Sequence, residues 1–394
     1  MSLFEHIKLL IYNILRILLR IICVFPISGN RWFFNSYTGT KYNDSPKYIS
    51  DYVQSRRLNI EIVWSFRDIL PYSNYFDNNI VVVKCKTILY FYYLLTSKVI
   101  IINDGLEPYI PIRSNQIFIN TWHGGGAYKT CGMTEPGAGD YLKNFLTERN
   151  KYLTAFVLTS EGFNNKVVKE SFLYHGKTIP CGLPRNEVLF QNHPEYKINV
   201  ENFIKRTIDI DELVILFAPT FRGKPNSGSL YDDCVEELDV NLVIEEFSKR
   251  YNKRVIMLFK AHHGIKKFKR SGDFIDVSKY PDVQHLIYIS HILITDYSSI
   301  MWDFGLMLKP IFMFVPDIDE YIKNRGFLTD PYSWPYVISK SNQELISNIQ
   351  TFNEDELIEK IKVYNNKMVS YENDSACEKC VNWILNEIEK ESQN

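Results

Sequence analysis

Short apolar segments alternate with amphipathic stretches from residue 31 onward, and this alternation limits the folds open to the chain. It is typical of parallel β-strands that are joined by helices and covered on both faces. A polar stretch at residues 190–210 separates two series of such segments. The predicted strands of the first series are Arg31–Asn35, Ile60–Ser65, Ile80–Val83, Val99–Asn103, Ile117–Thr121 and Ala155–Thr159. Those of the second are Leu213–Ala218, Val255–Phe259, Val283–Leu286, Ile292–Thr295 and Ile311–Phe314.

The length of the chain predicts two domains of the α/β class. At 394 residues it exceeds the roughly 250 to 300 residues at which a single hydrophobic core stops growing. We expect a first Rossmann-like domain at residues 29–190 and a second at residues 191–394, which includes closing helices, with a central cleft between them. Open parallel sheets bind ligands beyond the carboxyl ends of their strands, so the chemistry is expected in the loops that follow strands.

Residues 1–28 contain an apolar segment that is interrupted by basic residues, among them Arg16 and Arg20. On a helix its polar residues fall on one side, which gives an amphipathic helix. A membrane-spanning helix would bury each arginine at a cost of about 2.5 to 3.5 kcal/mol, whereas an in-plane helix lets both reach lipid headgroups. We therefore predict a peripheral, monotopic anchor on the cytoplasmic face of the cell membrane. Packing of this helix on the protein's own body is the alternative.

Charge and cysteine content exclude several classes of protein. The net charge is −1, so no overall field favours nucleic acid as a partner. Seven cysteines at irregular spacing do not form a disulfide framework and fit a reducing compartment. Cys377 and Cys380 form a C-x-x-C pair, but a zinc site needs four ligands, so we interpret the pair as structural.

The first series of strands leads to a candidate base. His123 follows the strand Ile117–Thr121 and precedes three glycines, whose backbone can approach a ligand closely. A histidine there suits a general base near neutral pH, and a purely structural role is the alternative.

The second series ends in side chains that donate hydrogen bonds to anionic oxygen. Such donors at successive strand ends are typical of a diphosphate site, although helix capping and ordinary surface exposure explain single members equally well. They are Arg222, Lys260, His262, Thr295, Ser298 and Ser299. The sequence has neither a P-loop nor a G-x-G-x-x-G fingerprint, and we expect no metal and no cofactor.

Several ordered motifs resemble those of the CDP-glycerol glycerophosphotransferase family, which builds teichoic acids and related capsular polymers. The resemblance spans roughly residues 31 to 385, and multiple ordered motifs are more specific than any single one. The matching segments are Trp122–Gly124 (W-H-G), Gly182–Asn186 (G-x-P-R-N), Ala218–Arg222 (A-P-T-F-R), Lys260–His263 (for R-x-H-P) and Leu293–Asp303 (L-I-T-D-Y-S-S-x-x-x-D).

The resemblance implies a GT-B-type architecture, peripheral membrane association and a transferase that needs no metal. It implies that His123 and His262 are catalytic and that acceptor binding involves Gly124, Gly125 and Arg185. Donor binding is carried over to Arg222, Lys260, Thr295, Asp296, Ser298 and Ser299. The implied reaction moves glycerol phosphate from CDP-glycerol to a hydroxyl of a lipid-linked saccharide or polymer and releases CMP, in cell-wall teichoic acid or capsule biosynthesis.

Departures from the family pattern leave the transferred group open. Lys260 stands where arginine is common, and it keeps the charge but loses the planar two-pronged contact. His263 replaces a proline, and Gly124–Gly126 differs from the frequent G-T-P form. Ribitol phosphate or another polyol phosphate therefore remains possible in place of glycerol phosphate. The same residues would also suit a sugar-transferring GT-B enzyme with another nucleotide donor, or an inactive protein that binds anionic polymer.

Overall fold

The apolar segments rich in Val, Ile and Phe form strands because β-branched and aromatic side chains pack well on a pleated, buried surface. The computed structural model describes residues 3–72, 75–76, 79–126, 129–220, 237–261 and 272–393. Its strands belong to two sheets in which every pairing is parallel. The predicted α/β class is confirmed.

The first sheet has the strand order β3-β2-β1-β4-β5-β6-β7. Its strands are β1 (Ser28–Asn35), β2 (Glu61–Phe66), β3 (Ile80–Lys84), β4 (Ser97–Ile102), β5 (Ile117–Asn120), β6 (Ala155–Val157) and β7 (Lys177–Ile179). Trp32 of β1 lies opposite Ile62 on one neighbouring strand and opposite Val99 on the other. The order reverses between β1 and β4, which is where Rossmann-like sheets bind ligands.

The second sheet repeats this order as β10-β9-β8-β11-β12-β13. Its strands are β8 (Glu212–Ala218), β9 (Arg254–Phe259), β10 (Ile275–Asp276), β11 (Ile292–Thr295), β12 (Ile311–Phe314) and β13 (Val337–Ser339). β8 and β11 are buried along their whole length, as expected for central strands covered on both faces. The order of this sheet reverses between them.

Helices connect the strands of both sheets. Those of the first half are Leu3–Arg20, Asp44–Ser55, Ile88–Thr96, Asp140–Asn150 and Glu161–Phe163, which continues as a π-helix at Asn164–Ser171. Those of the second half are Pro194–Ile204, Val240–Tyr251, Val283–Ile289, Ile300–Gly305, Ile318–Asn324, Asn342–Thr351, Glu354–Met368 and Ala376–Gln393.

The chain forms two compact units, and its last helix belongs to the first of them. The first unit contains residues 1–123, 131–187 and 371–394, and the second contains residues 124–130 and 188–370. Ile384 on the last helix is fully buried in the core around the first sheet. The predicted second domain, residues 191–394, includes this helix. Helical spacing shows which face of a helix is apolar, but it does not show which surface of the protein covers that face.

Residues Val283–Leu286, which we predicted to be a strand, begin the helix Val283–Ile289. The Asp282 side chain accepts a hydrogen bond from the Gln284 backbone N–H and caps this helix. Leu286 and Ile287 are fully buried. The prediction was wrong because four residues, of which only Val283 and Leu286 are apolar, are too few for their periodicity to distinguish a strand from one turn of helix.

The prediction missed the strands β7, β10 and β13. β7, β10 and β13 have two or three residues each and lie at or near sheet edges, so they lack a continuous apolar run. The helix after Ser299 ends at Gly305, before the apolar residues Met307 and Leu308. Leu308 adopts a left-handed conformation with φ of 53°, and Pro310 cannot continue a helix.

The N-terminal segment is helical, as predicted, and one side of the helix Leu3–Arg20, at residues 8, 12, 15, 16 and 19, is partly buried. The Arg16 guanidinium donates a hydrogen bond to the Pro108 carbonyl, and the Tyr12 and Tyr109 rings lie 5.6 Å apart. Apolar side chains on the other side remain exposed, including Leu10 at 61% and Ile17 at 64%. No helix within the described ranges is both long and apolar enough to span a bilayer.

Packing of the last helix against the first sheet predicts a large effect of truncating Ile384. Ile384→Ala should lower the free energy of unfolding by about 2 to 5 kcal/mol, because it leaves a cavity in a closed core. Val363→Ala is the control, since Val363 is 57% exposed and its truncation should change stability by no more than about 0.5 kcal/mol. Urea unfolding measures both, and equally small losses would contradict the packing.

Candidate active site

The carboxyl edge of the first sheet collects polar groups around its switch point. β4 and β5 are parallel neighbours with Ile102 opposite Asn120, so the residues that follow them meet. The Asn103 side chain accepts a hydrogen bond from the Tyr37 backbone N–H, and the Asp104 carbonyl accepts one from the Asn120 side chain. The predicted base lies on the next loop.

A hydrogen bond to the backbone fixes the orientation of the His123 ring. Its Nδ1 lies 2.7 Å from the Asn103 carbonyl oxygen. A carbonyl only accepts hydrogen bonds, so Nδ1 must carry the proton. In the neutral ring Nε2 then holds a lone pair, which is the state that a general base requires.

The backbone before His123 is strained. Trp122 has a φ of 55°, in the left-handed region that bulky residues rarely adopt, and its ring stacks on His123 with centroids 4.2 Å apart. Tyr37 and Thr38 after β1, and Asp44 at the start of the helix Asp44–Ser55, also have positive φ values. Strained residues of this kind cluster at functional sites, where the surrounding structure holds them in place.

Arg185 lies in a buried ion pair beside His123. Its Nη1 is 2.8 Å from the Asp44 carboxylate, and the side chains of Arg185 and Asp44 are 7% and 3% exposed. The same nitrogen donates to the His123 carbonyl at 3.0 Å. The structure thus gives Arg185 a role in holding the backbone of His123, the predicted base, and its contact with an acceptor stays a prediction.

Sequence reasoning missed Asp104, which sits in the same cluster. Burial raises the pKa of its carboxyl to about 6, and its Oδ1 is buried with no hydrogen-bond partner in the described part of the chain. Arg149 donates to the Asp104 carbonyl at 2.6 Å, and burial lowers the pKa of this guanidinium. Asp104 directly follows a predicted strand, so the rule that singled out His123 could also have found it.

Buried hydrogen bonds also organise the switch point of the second sheet. The Asp296 carboxylate accepts bonds from the Thr220 backbone N–H and hydroxyl, each at 2.9 Å. The Thr295 hydroxyl donates to the Ala218 carbonyl at 2.7 Å. Thr295 and Asp296 are fully buried. They therefore tie the loop after β11 to the loop after β8, and their predicted contact with a donor stays a prediction.

Two further contacts fix the neighbouring loops of this edge. The Lys260 ammonium donates to the carbonyls of Ser278 at 2.9 Å and Tyr280 at 2.7 Å. The Tyr297 hydroxyl donates to the Asp317 carboxylate at 2.9 Å, and its ring stacks on Tyr321. Lys260 thus satisfies backbone carbonyls after β10, which the strand-end pattern could not show.

Ser298 and Ser299 are the half-buried members of this loop, whereas the three residues before them are fully buried. Ser299 precedes the helix Ile300–Gly305 and makes no capping hydrogen bond through its side chain. Their hydroxyls are therefore the groups of this loop best placed to meet a ligand. The predicted residues Arg222 and His262 lie outside the described residues.

The glycines after His123 belong to the second unit and have different environments. Gly124 and Gly125 are buried, and their predicted acceptor contact stays a prediction. Gly126 has a φ of 79°, and a Cβ at this position would approach the Trp302 ring to 2.5 Å. Glycine is required there by close packing. Among the described residues no group of three His, Cys, Asp or Glu side chains is arranged to hold a metal ion.

The order of both sheets is that of Rossmann-like folds, in which nucleotides bind at the switch point. The chain belongs to the CDP-glycerol:poly(glycerophosphate) glycerophosphotransferase family, whose profile matches residues 17–386. The membership inferred from the motifs is confirmed.

Relatives of known activity agree with this assignment. The chain is 28% identical over 369 residues to a teichoic acid poly(glycerol phosphate) polymerase of Staphylococcus epidermidis, covering 87% of this chain and 48% of that one. It is 25% identical over 376 residues to a teichoic acid glycerol-phosphate transferase of Staphylococcus aureus, covering 90% of this chain and 93% of that one.

A solved structure of the wall teichoic acid polymerase TagF has a similar fold. This structure is of a histidine-to-asparagine variant soaked with CDPG. Its TM-score is 0.79 at 26% identity, covering 98% of this chain and 97% of that one.

The buried carboxyl of Asp104 predicts a pH-dependent effect on stability. Between about pH 4 and 6 the folded chain keeps a proton on Asp104 that the unfolded chain loses, so this group lowers stability as pH rises through that window. Asp104→Asn removes the titration. The variant should gain stability relative to wild type as pH rises from 4 to 6, to a plateau of about 3 kcal/mol at most. Urea unfolding across this range measures the difference.

Asp211→Asn is the matched control, because Asp211 is exposed. Its stability relative to wild type should stay nearly flat over the same window. If the free energy of unfolding of Asp104→Asn changed with pH in parallel with that of wild type, the raised pKa of Asp104 would be contradicted.

Proposed function

We propose that this chain transfers glycerol phosphate, or a related polyol phosphate, from a CDP-activated donor to a hydroxyl of a saccharide or polymer. Family membership supports the reaction class. The single observation that supports a chemical role is the hydrogen bond from His123 Nδ1 to the Asn103 carbonyl. It leaves Nε2 as the basic nitrogen of a ring that stacking and a strained backbone hold in place.

In the proposed step the acceptor hydroxyl gives its proton to His123 Nε2 as its oxygen attacks the β-phosphate of the donor. A P–O bond to the acceptor forms, the P–O bond of the anhydride breaks, and CMP leaves with the electron pair. The proton then passes from the imidazolium to solvent. Phosphoryl transfer of this kind depends mostly on positioning the reactants and on stabilising negative charge. One oriented base and a set of fixed hydrogen-bond donors therefore suffice.

The second unit supplies the donor site in this scheme. Ser298 and Ser299 donate to phosphate oxygens, while Thr295, Asp296 and Lys260 hold the loops around them through bonds to other protein groups. The predicted catalytic role of His262 and the predicted phosphate contact of Arg222 complete the set. We propose a GT-B-type architecture for the chain, in which the first unit supplies the base and the second supplies the donor site.

The proposed acceptor is linked to a lipid, and the chain acts at the cytoplasmic face of the membrane. The exposed apolar side of the helix Leu3–Arg20 supports membrane contact. Basic residues on the same helix are attracted to acidic headgroups. The helix thus binds the body with one side and would lie in the interface with the other, so packing on the body and membrane anchoring are compatible.

Loss of the proposed base predicts loss of turnover. The wild-type chain should release CMP from CDP-glycerol in the presence of its acceptor, and His123→Ala should lower kcat by about 100- to 10,000-fold, the usual range for a general base. His175→Ala is the control, because His175 is an exposed histidine of the same unit. Chromatography of nucleotide products measures both. An unchanged kcat in His123→Ala would contradict the assignment.

Donor choice separates the candidate reactions in the same assay. CDP-glycerol, CDP-ribitol and nucleotide sugars are supplied in turn. CMP formed from one CDP-polyol identifies the transferred group. A nucleoside diphosphate formed from a nucleotide sugar would favour a glycosyltransferase. Polymer binding without product from any donor would favour a binding protein.

Membrane contact through the exposed helix side predicts a second effect. Leu10→Glu with Ile17→Glu should abolish cosedimentation with vesicles that contain acidic lipid, because both substitutions place charge on the same apolar side. Ile210→Glu is the control, since Ile210 is 87% exposed but lies far along the chain in the second unit. If the double variant still sediments with vesicles, this side does not carry the contact.

A further inference from the structure

A pocket in the first unit opens between the N-terminal helix and the loop that follows β4. Arg16 of this helix and Arg149 of the helix Asp140–Asn150 line it together with apolar groups. The apolar lining comes from Leu106, Ile110, Ile112, Phe118, Phe145 and Tyr152. Glu107 and Glu148 also line it. A pocket with two guanidinium groups and mostly apolar walls suits a ligand that joins an anionic group to a hydrocarbon.

The two guanidiniums of this pocket have unused capacity for an anion. Arg16 and Arg149 each donate to a backbone carbonyl, and neither forms an ion pair with a carboxylate in the described ranges. The Arg16 Nε is buried without a hydrogen-bond partner in the same part of the chain. The two carboxylates of the lining pair with lysines, Glu107 with Lys86 and Glu148 with Lys151. The Asp104 carboxyl attracts Arg149 electrostatically, but the two form no direct ion pair in the described ranges.

One loop connects this pocket to the proposed base. The Asn103 carbonyl binds the His123 ring, and the next carbonyl, that of Asp104, accepts from Arg149. Leu106 and Ile110 of the same loop line the pocket. On its other side the pocket is bounded by the helix whose outer side we propose to lie in the membrane.

The geometry points to a binding site for the phosphate and first hydrocarbon units of a lipid-linked acceptor in this pocket. Arg16 and Arg149 would bind the phosphate oxygens, and the apolar walls would enclose the start of the chain as it leaves the bilayer. The inference rests on the proposed function and specifies the part of the acceptor that the chain recognises. It places that part beside the loop that orients His123.

Calorimetric titration of the full chain with farnesyl phosphate tests the site without the donor. Arg16→Ala should weaken binding of this probe by about tenfold or more, since a hydrogen bond to a charged group is lost. Arg16→Lys keeps the charge and should restore most of the affinity. Arg20→Ala is the matched control, because it removes the same charge from the exposed surface of the same helix.

Each other result overturns the inference. Equal weakening by Arg16→Ala and Arg20→Ala would show a general charge effect. Equal affinity for farnesol would show that no phosphate is recognised, and equal affinity for inorganic phosphate would show an anion site with no preference for lipid. Failure of Arg16→Lys to restore binding would show that Arg16 acts only through the fold.

Failure of this inference is distinguishable from failure of the proposed function. CMP release by the wild-type chain, together with no binding of farnesyl phosphate, would overturn the pocket assignment alone. Absence of CMP release from every CDP-polyol in the presence of acceptor would overturn the transferase proposal itself.

Discussion

Parallel pairing of β4 with β5 is the constraint on which the candidate active site depends. Because Ile102 lies opposite Asn120, the two strands end side by side and their loops begin together. The left-handed turn at Trp122 then brings the His123 ring back to the Asn103 carbonyl. Neither loop could orient the ring alone, so the register of a buried sheet determines which imidazole nitrogen is basic.

The second unit has the same strand order, but the polar groups at its switch point make the loops rigid instead of orienting a histidine. At its switch point the polar groups are buried and bonded to one another, as in the pairing of Asp296 with Thr220. Buried polar groups that are fully satisfied make a loop rigid, and rigid loops position the exposed groups next to them. The half-buried hydroxyls of Ser298 and Ser299 therefore gain a fixed direction from residues that need not touch a ligand.

Much of the fold was predictable from local patterns, and the failures have physical reasons. Runs of β-branched and aromatic residues located the central strands to within three residues. The segment Val283–Leu286 was wrongly predicted because four residues with apolar ends and a polar middle fit one turn of helix as well as a strand. Several site residues were found by their position after strands, but the buried ion pair of Asp44 with Arg185 joins residues far apart in the chain, which no short motif encodes.

The sequence by itself determined the α/β class, the family and the identity of the polar residues that follow each strand, because these depend on local patterns and ordered motifs. Only the tertiary structure decided which of those residues are bonded to other protein groups and which are left to contact a ligand. In the structure, Lys260 and Thr295 donate hydrogen bonds to backbone carbonyls, and Arg185 forms an ion pair with Asp44. The last helix packs against the first sheet. Such choices arise from contacts between residues far apart in the chain, where desolvation and hydrogen bonding are settled together.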